Sequence, residues 1–137
     1  MKKVITLLLA LVMVFAATSA LAADIKVTVN GEAIEFDRAP ELFGETALVP
    51  FRFVAEKLGA VVAWDGETQT VFASLDDVLS TMQIGNQNIF INGEVVSADV
   101  APLISTDRTL VSTEVLKSAL GAEVIWDKEA STVTITK

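Results

Sequence analysis

The chain contains no cysteine, no histidine and no tyrosine. Without cysteine there is no disulfide framework and no thiolate nucleophile, and without cysteine and histidine the usual ligands of a zinc site are missing. No imidazole is available as a general base, which removes Ser-His-Asp and Cys-His chemistry. Basic side chains are scarce too: 10 Lys and Arg stand against 18 Asp and Glu, a formal net charge of −8. Affinity for nucleic acid comes largely from cations that neutralise phosphates, so no nucleic-acid partner is expected. The seven glycines read as turn residues, and none forms a phosphate-cradling loop. The carboxylates do not assemble a site either. Asp65-Gly66-Glu67 and Asp76-Asp77 lack the ligand spacing of a calcium loop. Nothing in the order of the acidic residues sets two of them across a cleft, as glycoside hydrolysis requires. The sequence therefore assigns no catalytic, metal-binding or cofactor-binding residue, and a non-enzyme is expected.

The chain opens with a targeting pattern. Lys2 and Lys3 precede an apolar run from Val4 to Ala17, and Ala20-Leu21-Ala22 has the small-x-small form of a signal-peptidase site. A run of roughly 14 residues is short for a bilayer-spanning helix of about 20. Residues 1–22 are read as a cleaved secretory leader rather than an anchor or a buried helix. Losing Lys2 and Lys3 takes the net charge from −8 to −10. No second apolar run of that length follows, so no integral membrane span is expected after cleavage. The mature chain, about 115 residues, is close to one ordinary domain in size.

That mature chain repeats itself at an offset of 62 residues. Asn30-Gly31-Glu32 recurs as Asn92-Gly93-Glu94, Ala39-Pro40 as Ala101-Pro102, and Leu48-Val49 as Leu110-Val111. Leu58-Gly59-Ala60 recurs as Leu120-Gly121-Ala122, Trp64-Asp65 as Trp126-Asp127, and Thr70-Val71 as Thr132-Val133. Residues 25–75 and 87–137 align without a gap, with about a third of the positions identical. The predicted organisation is a leader (1–22), one repeat (23–75), a linking strand and turn (76–86) and a second repeat (87–137).

Each copy has the same local pattern. Ile25, Val27 and Val29 alternate as a half-buried strand, and Asn30-Gly31 is a strong hairpin turn leading into Ala33–Phe36. After Pro40 comes a short strand, Ala47–Val49. Pro50 then starts a helix whose apolar face is Phe51, Val54, Ala55 and Leu58, closed by Gly59. Val61–Trp64 and Thr70–Ala73 form a second hairpin. In copy two the helix runs from Thr113 to Leu120, with Ser112 or Thr113 as N-cap. The predicted fold class is α+β: two tandem β-rich repeats, each an antiparallel sheet wrapped around one short helix. With no Ser/Gly/Pro-rich linker the copies are expected to pack together, a shared sheet being one arrangement open to them, and the alternative is two separable lobes.

The order Val29-Asn30-Gly31, Pro40, Leu48-Val49-Pro50-Phe51-Arg52-Phe53-Val54-Ala55-Glu56-Lys57-Leu58-Gly59-Ala60, Trp64-Asp65, Thr70-Val71 resembles the copper amine oxidase N-terminal-like domain, also called the stalk domain. The resemblance runs over the mature chain once per copy. Copy two departs at its helix start, where Ser112-Thr113-Glu114 replaces Pro50-Phe51-Arg52. The resemblance implies a small antiparallel sheet around one helix per module. It also implies a secreted protein held at the cell surface or wall, contacting a wall polymer or another surface protein. It does not imply the oxidase activity, which resides in a separate domain and needs imidazoles and a tyrosine-derived quinone that this chain cannot supply. A wall-polysaccharide binder, or a binder or inhibitor of a secreted enzyme, are the alternative functions, and an exposed strand edge also allows a homodimer.

Four residues stand out as candidates. Trp64 and Trp126 are either platforms for sugar rings or, the favoured reading, indoles packed against the helices with their N–H groups bonded at the edge. Arg52 and Phe53 lie off the apolar helix face. They mark either a partner contact or, the favoured reading, an Arg52–Glu56 pair with Phe53 covered by the other copy.

Overall fold

The computed structural model describes residues 24–137. The expected leader at 1–22 lies outside those residues. Thirteen strands and two short helices make up the described fold, so it is α+β and β-rich. The first half runs β1 (Lys26–Val29), β2 (Glu32–Ala33), β3 (Glu41–Phe43), β4 (Thr46–Pro50), α1 (Phe51–Lys57), β5 (Val61–Asp65) and β6 (Thr70–Leu75). A linking strand β7 (Val78–Gln83) follows. The second half runs β8 (Asn88–Ile91), β9 (Glu94–Ser97), β10 (Leu103–Ser105), β11 (Arg108–Ser112), α2 (Thr113–Leu120), β12 (Glu123–Asp127) and β13 (Thr132–Thr136). Neither helix is long and apolar enough to cross a membrane.

The strands do not close into one sheet per copy. Three sheets form, in the orders β12-β13-β1-β2, β10-β11-β4-β3 and β5-β6-β7-β8-β9, and each takes strands from both halves of the chain. In the middle sheet β4 and β11 run antiparallel with Val49 opposite Val111, while Leu48 faces Ser112 and Pro50 faces Leu110. Val49 and Val111 are 62 residues apart, so a local two-fold axis passes through this fully buried pair. About that axis, the last hairpin of each half joins the first hairpin of the other.

The two outer sheets differ by one strand. In the five-stranded sheet β7 lies between β6 and β8 and is antiparallel to both. The other outer sheet has no such strand, and β13 pairs directly with β1 in parallel, Val27 opposite Val133 and Val29 opposite Ile135. Those four side chains are buried. The helices follow this difference. α2 packs on β6 and β7 as well as on β12, and it buries Val115, Leu116, Ala119 and Leu120. α1 packs on β5 and β11 and buries Phe51, Val54 and Ala55.

The repeated Asn-Gly pairs hold the outer sheets together. Asn30 and Gly31 both have positive φ (50° and 84°), as do Asn92 and Gly93 (52° and 86°), the two-residue turn that matches strand twist. Each Asn also reaches the neighbouring strand. Asn30 Oδ1 accepts from the Lys137 amide at 2.9 Å, and Asn92 Oδ1 from the Leu79 amide at 2.8 Å. Asparagine thus tolerates the left-handed turn and supplies a ladder bond at once.

Local boundaries differ from the sequence reading in two places. The return strand after Asn30-Gly31 is two residues, Glu32–Ala33, rather than Ala33–Phe36. Ile34 still donates one more bond to the Val27 carbonyl at 2.9 Å, after which the chain turns toward Pro40. The strand at Ala47–Val49 is half of a hairpin, with β3 as its partner and Gly44-Glu45 at the turn. Gly44, with φ of 68°, is the local signal for that turn.

A candidate contact cleft beside Trp64

The two halves match in sequence, so the places where they differ in structure are informative. Trp126 lies partly buried against the core, and its indole N–H donates to the Glu45 carbonyl at 3.0 Å. Glu45 sits at the tip of the β3–β4 hairpin, and its carboxylate meets Lys128 Nζ at 2.9 Å. This pair of bonds clamps the hairpin tip onto strand β12. The Lys128 hydrogen bond holds the Glu45 carboxyl below its ordinary value, with the ammonium charge adding to the effect.

At the equivalent place in the first half the clamp is missing. The hairpin tip there is Thr106-Asp107, between β10 and β11. Trp64 makes no hydrogen bond through its indole to any described residue, and 43% of its surface is exposed. The position matching Lys128 is Gly66, which carries no amine. The Asp107 carbonyl, counterpart of the one that accepts from Trp126, instead accepts from Arg108 Nη1 at 3.1 Å. A cleft of about 450 Å³ opens as a result, floored by α1 and walled by β5 and the β10–β11 hairpin.

The cleft gathers Arg52, Phe53, Glu56, Trp64, Ile104 and Arg108. Phe53 stands edge-on to Phe36, with ring centroids 5.6 Å apart and planes at 90°. The Arg108 guanidinium covers the Phe53 ring at 5.9 Å, a cation–π arrangement. Arg108 is fixed there by Asp37, through Nε to Oδ1 at 3.1 Å and Nη2 to Oδ2. That two-pronged bond pushes the Asp37 carboxyl below and the Arg108 guanidinium above their ordinary values, hydrogen bonding being the main cause in both. Arg52 is far less committed. Its ion pair with Glu56 is 3.9 Å long and both side chains are half exposed.

The Asp37–Arg108 pair is itself a product of divergence. In the second half the matching aspartate, Asp99, accepts from the Ser112 hydroxyl at 2.6 Å, and Ser112 caps α2 by accepting from the Val115 amide at 3.2 Å. In the first half proline replaces that serine. Pro50 makes no side-chain cap, and Asp37 turns to Arg108 from the other half. The hairpin tip carries the opposite change. Glycine at 44 becomes threonine at 106, yet φ stays positive at 51°, a region where a β-branched side chain is strained.

The structure thus brings Arg52, Phe53 and Trp64 to one place and sets Trp126 apart, bonded to Glu45. Phe53 is covered in part by Arg108 from the other half, and Arg52 faces Glu56. The sequence reading did not single out Arg108, Asp37 or Ile104. The visible signal for Arg108 was an arginine in place of Thr46 just before the shared Leu-Val pair, and its pairing with Asp37 spans 71 residues. Elsewhere, the outer face of the five-stranded sheet carries Phe72, Leu79, Phe90 and Val95, all more than a third exposed. Among the described residues no three His, Cys, Asp or Glu side chains gather as a metal-binding group.

The described residues form a β-rich scaffold with two short helices and an open aromatic and cationic cleft. The profile of the copper amine oxidase N-terminal domain matches residues 28–135 in one span that crosses both halves. The chain belongs to that family. A copper centre does not fit it, because its 137 residues include no His, Cys or Tyr. The chain is also 30% identical over 120 residues to a protein named "Protease inhibitor" from Brevibacillus choshinensis. The aligned region is 88% of this chain but 37% of that relative's length.

Proposed function

We propose that this is an exported, non-catalytic contact module, built from two stalk-like copies behind a signal peptide, that binds a protein partner at the cell surface or wall. The carrying observation is the broken equivalence of the tryptophans. Trp126 is bonded to its own hairpin tip, whereas Trp64 is left exposed in a cleft with Arg52, Phe53 and Arg108. A concave, mostly apolar recess with a few polar groups is the usual form of a binding site. The family supports the absence of catalysis, since the matched domain is the N-terminal one.

The test is photo-crosslinking from position 56, at the cleft floor, in culture medium, wall and membrane fractions of the producing cells. One crosslinked species of defined mass should form, and Trp64→Ala and Arg52→Ala should each abolish it. Phe72→Ser, on the outer sheet face, serves as control. Equal crosslinking by the cleft variants and the control would show that the contact lies elsewhere.

A second reading is favoured by the relative's printed name: the partner is a secreted protease. Titrating purified chain into a panel of secreted proteases tests it. Residual activity that falls to a plateau at a one-to-one ratio supports inhibition, and unchanged activity at tenfold excess sets it aside.

A further inference from the structure

The molecule contains an internal example of what its cleft lacks. At Trp126 an acidic hairpin tip delivers a backbone carbonyl to the indole N–H and a carboxylate to a cation, Glu45 supplying both. At Trp64 the N–H has no such acceptor, and its own hairpin tip is turned to Arg108. The cation needed for the carboxylate has also changed place. Gly66 replaces Lys128, but Arg52 now stands in the cleft where the other half has Glu114. Arg108 is held by Asp37 through two bonds, while Arg52 has only the long contact to Glu56. Arg52 is therefore the guanidinium free to exchange its partner.

From this correspondence we infer that the cleft takes an acidic turn of a partner protein, with a main-chain carbonyl accepting from Trp64 Nε1 and a carboxylate meeting Arg52. Phe53 and Ile104 supply the apolar surface beneath it. The inference rests on the contact-module reading and specifies the chemistry of the partner. A charge-assisted bond to a guanidinium inside a recess is the strong kind of hydrogen bond, so the acidic side chain sets specificity. A glycan would satisfy the indole but gains nothing particular from Arg52 unless it is acidic, and it forms one arm of the test.

The probe is a cyclised hairpin peptide with the chain's own sequence from Glu41 to Leu48, which carries Gly44-Glu45 at its tip. The chain has two tryptophans, so a ¹⁵N-labelled sample gives two indole signals, assigned with Trp126→Phe. Addition of the peptide to the full chain should shift the Trp64 indole N–H saturably and leave that of Trp126 in place. A peptide with glutamine at its tip, and the Arg52→Gln chain with the original peptide, should each bind about tenfold more weakly. A Trp64 signal that stays put overturns the inference. So does equal affinity for the two peptides, or a larger response to soluble peptidoglycan fragments than to the acidic peptide. Peptide failure with crosslinking still lost in the Trp64 and Arg52 variants overturns the acidic-turn chemistry alone. Peptide binding with crosslinking unaffected supports that chemistry and overturns the contact reading instead.

Discussion

At the scale of single residues, the chain trades stability for shape around the cleft. Thr106 holds a left-handed backbone that its counterpart Gly44 adopts without cost. A non-glycine residue there costs about 1–2 kcal/mol, so Thr106→Gly should raise stability by roughly 1 kcal/mol in urea melts. The surface ion pairs give a different signature. Asp37 and Glu45 both titrate below their ordinary values because Arg108 and Lys128 hold them ionised. A carboxyl whose folded value is lowered binds protons more tightly when unfolded. Its contribution is therefore complete above the ordinary value of about 4 and is lost as pH falls below it. Both groups are solvent-exposed, so the effect is small and screened by salt. Thermal melts from pH 6 down to pH 3 should show a smaller loss for Asp37→Asn than for the parent chain, with the difference shrinking in high salt.

At the scale of elements, the two helices have the same spacing but different anchorage. α2 has a serine cap that is bonded on both sides and a neighbouring strand, β7, that α1 lacks. Ser112→Ala removes a fully buried hydroxyl, a cap bond and the partner of Asp99. A lost cap costs about 1 kcal/mol, and the exposed Asp99 carboxylate keeps its bond from the Val100 amide, so about 1 kcal/mol is expected in denaturant melts. Leu116, completely buried on the same helix, should cost about 2–5 kcal/mol when changed to alanine. The matched change in α1, Val54→Ala, removes less side chain and should cost less. α1 is thus the more lightly held helix, and it is the one that forms the cleft floor.

At the scale of the whole molecule, the halves are interdependent. β1 completes a sheet whose other hairpin is β12–β13, and β5–β6 reaches β8–β9 only through β7. Neither half retains its sheet neighbours alone. Residues 24–75 expressed separately should show unfolded circular dichroism, and the full chain should unfold in one transition by fluorescence and circular dichroism together. Two separate transitions would mean that the halves are independent lobes.

The local alphabet of the fold was legible in the chain. The Asn-Gly turns, the Thr113–Leu120 helix with Ser112 as one of two cap candidates, and the hairpin of Val61–Trp64 with Thr70–Ala73 all follow from turn chemistry and periodicity, which act within a few residues. The hairpin at Gly44-Glu45 escaped because β3 is three residues long and offers almost no alternation to read. The offset of 62 showed where the halves are alike, and the absence of His, Cys and Tyr excluded the chemistry of the family's namesake. Which hairpin joins which sheet could not be read in this way. Identical strand patterns satisfy either partner, and only the central Val49–Val111 pairing selects the exchange. The candidate site was legible in pieces, as Arg52, Phe53 and Trp64, but not as a cleft. Its opening depends on a bond that forms at Trp126 and not at Trp64, between residues 81 apart in the chain. The sequence by itself determined the elements and the chemistry that this protein cannot do. The tertiary structure decided which of two equal tryptophans stays exposed, because that choice is made by contacts across the two-fold axis.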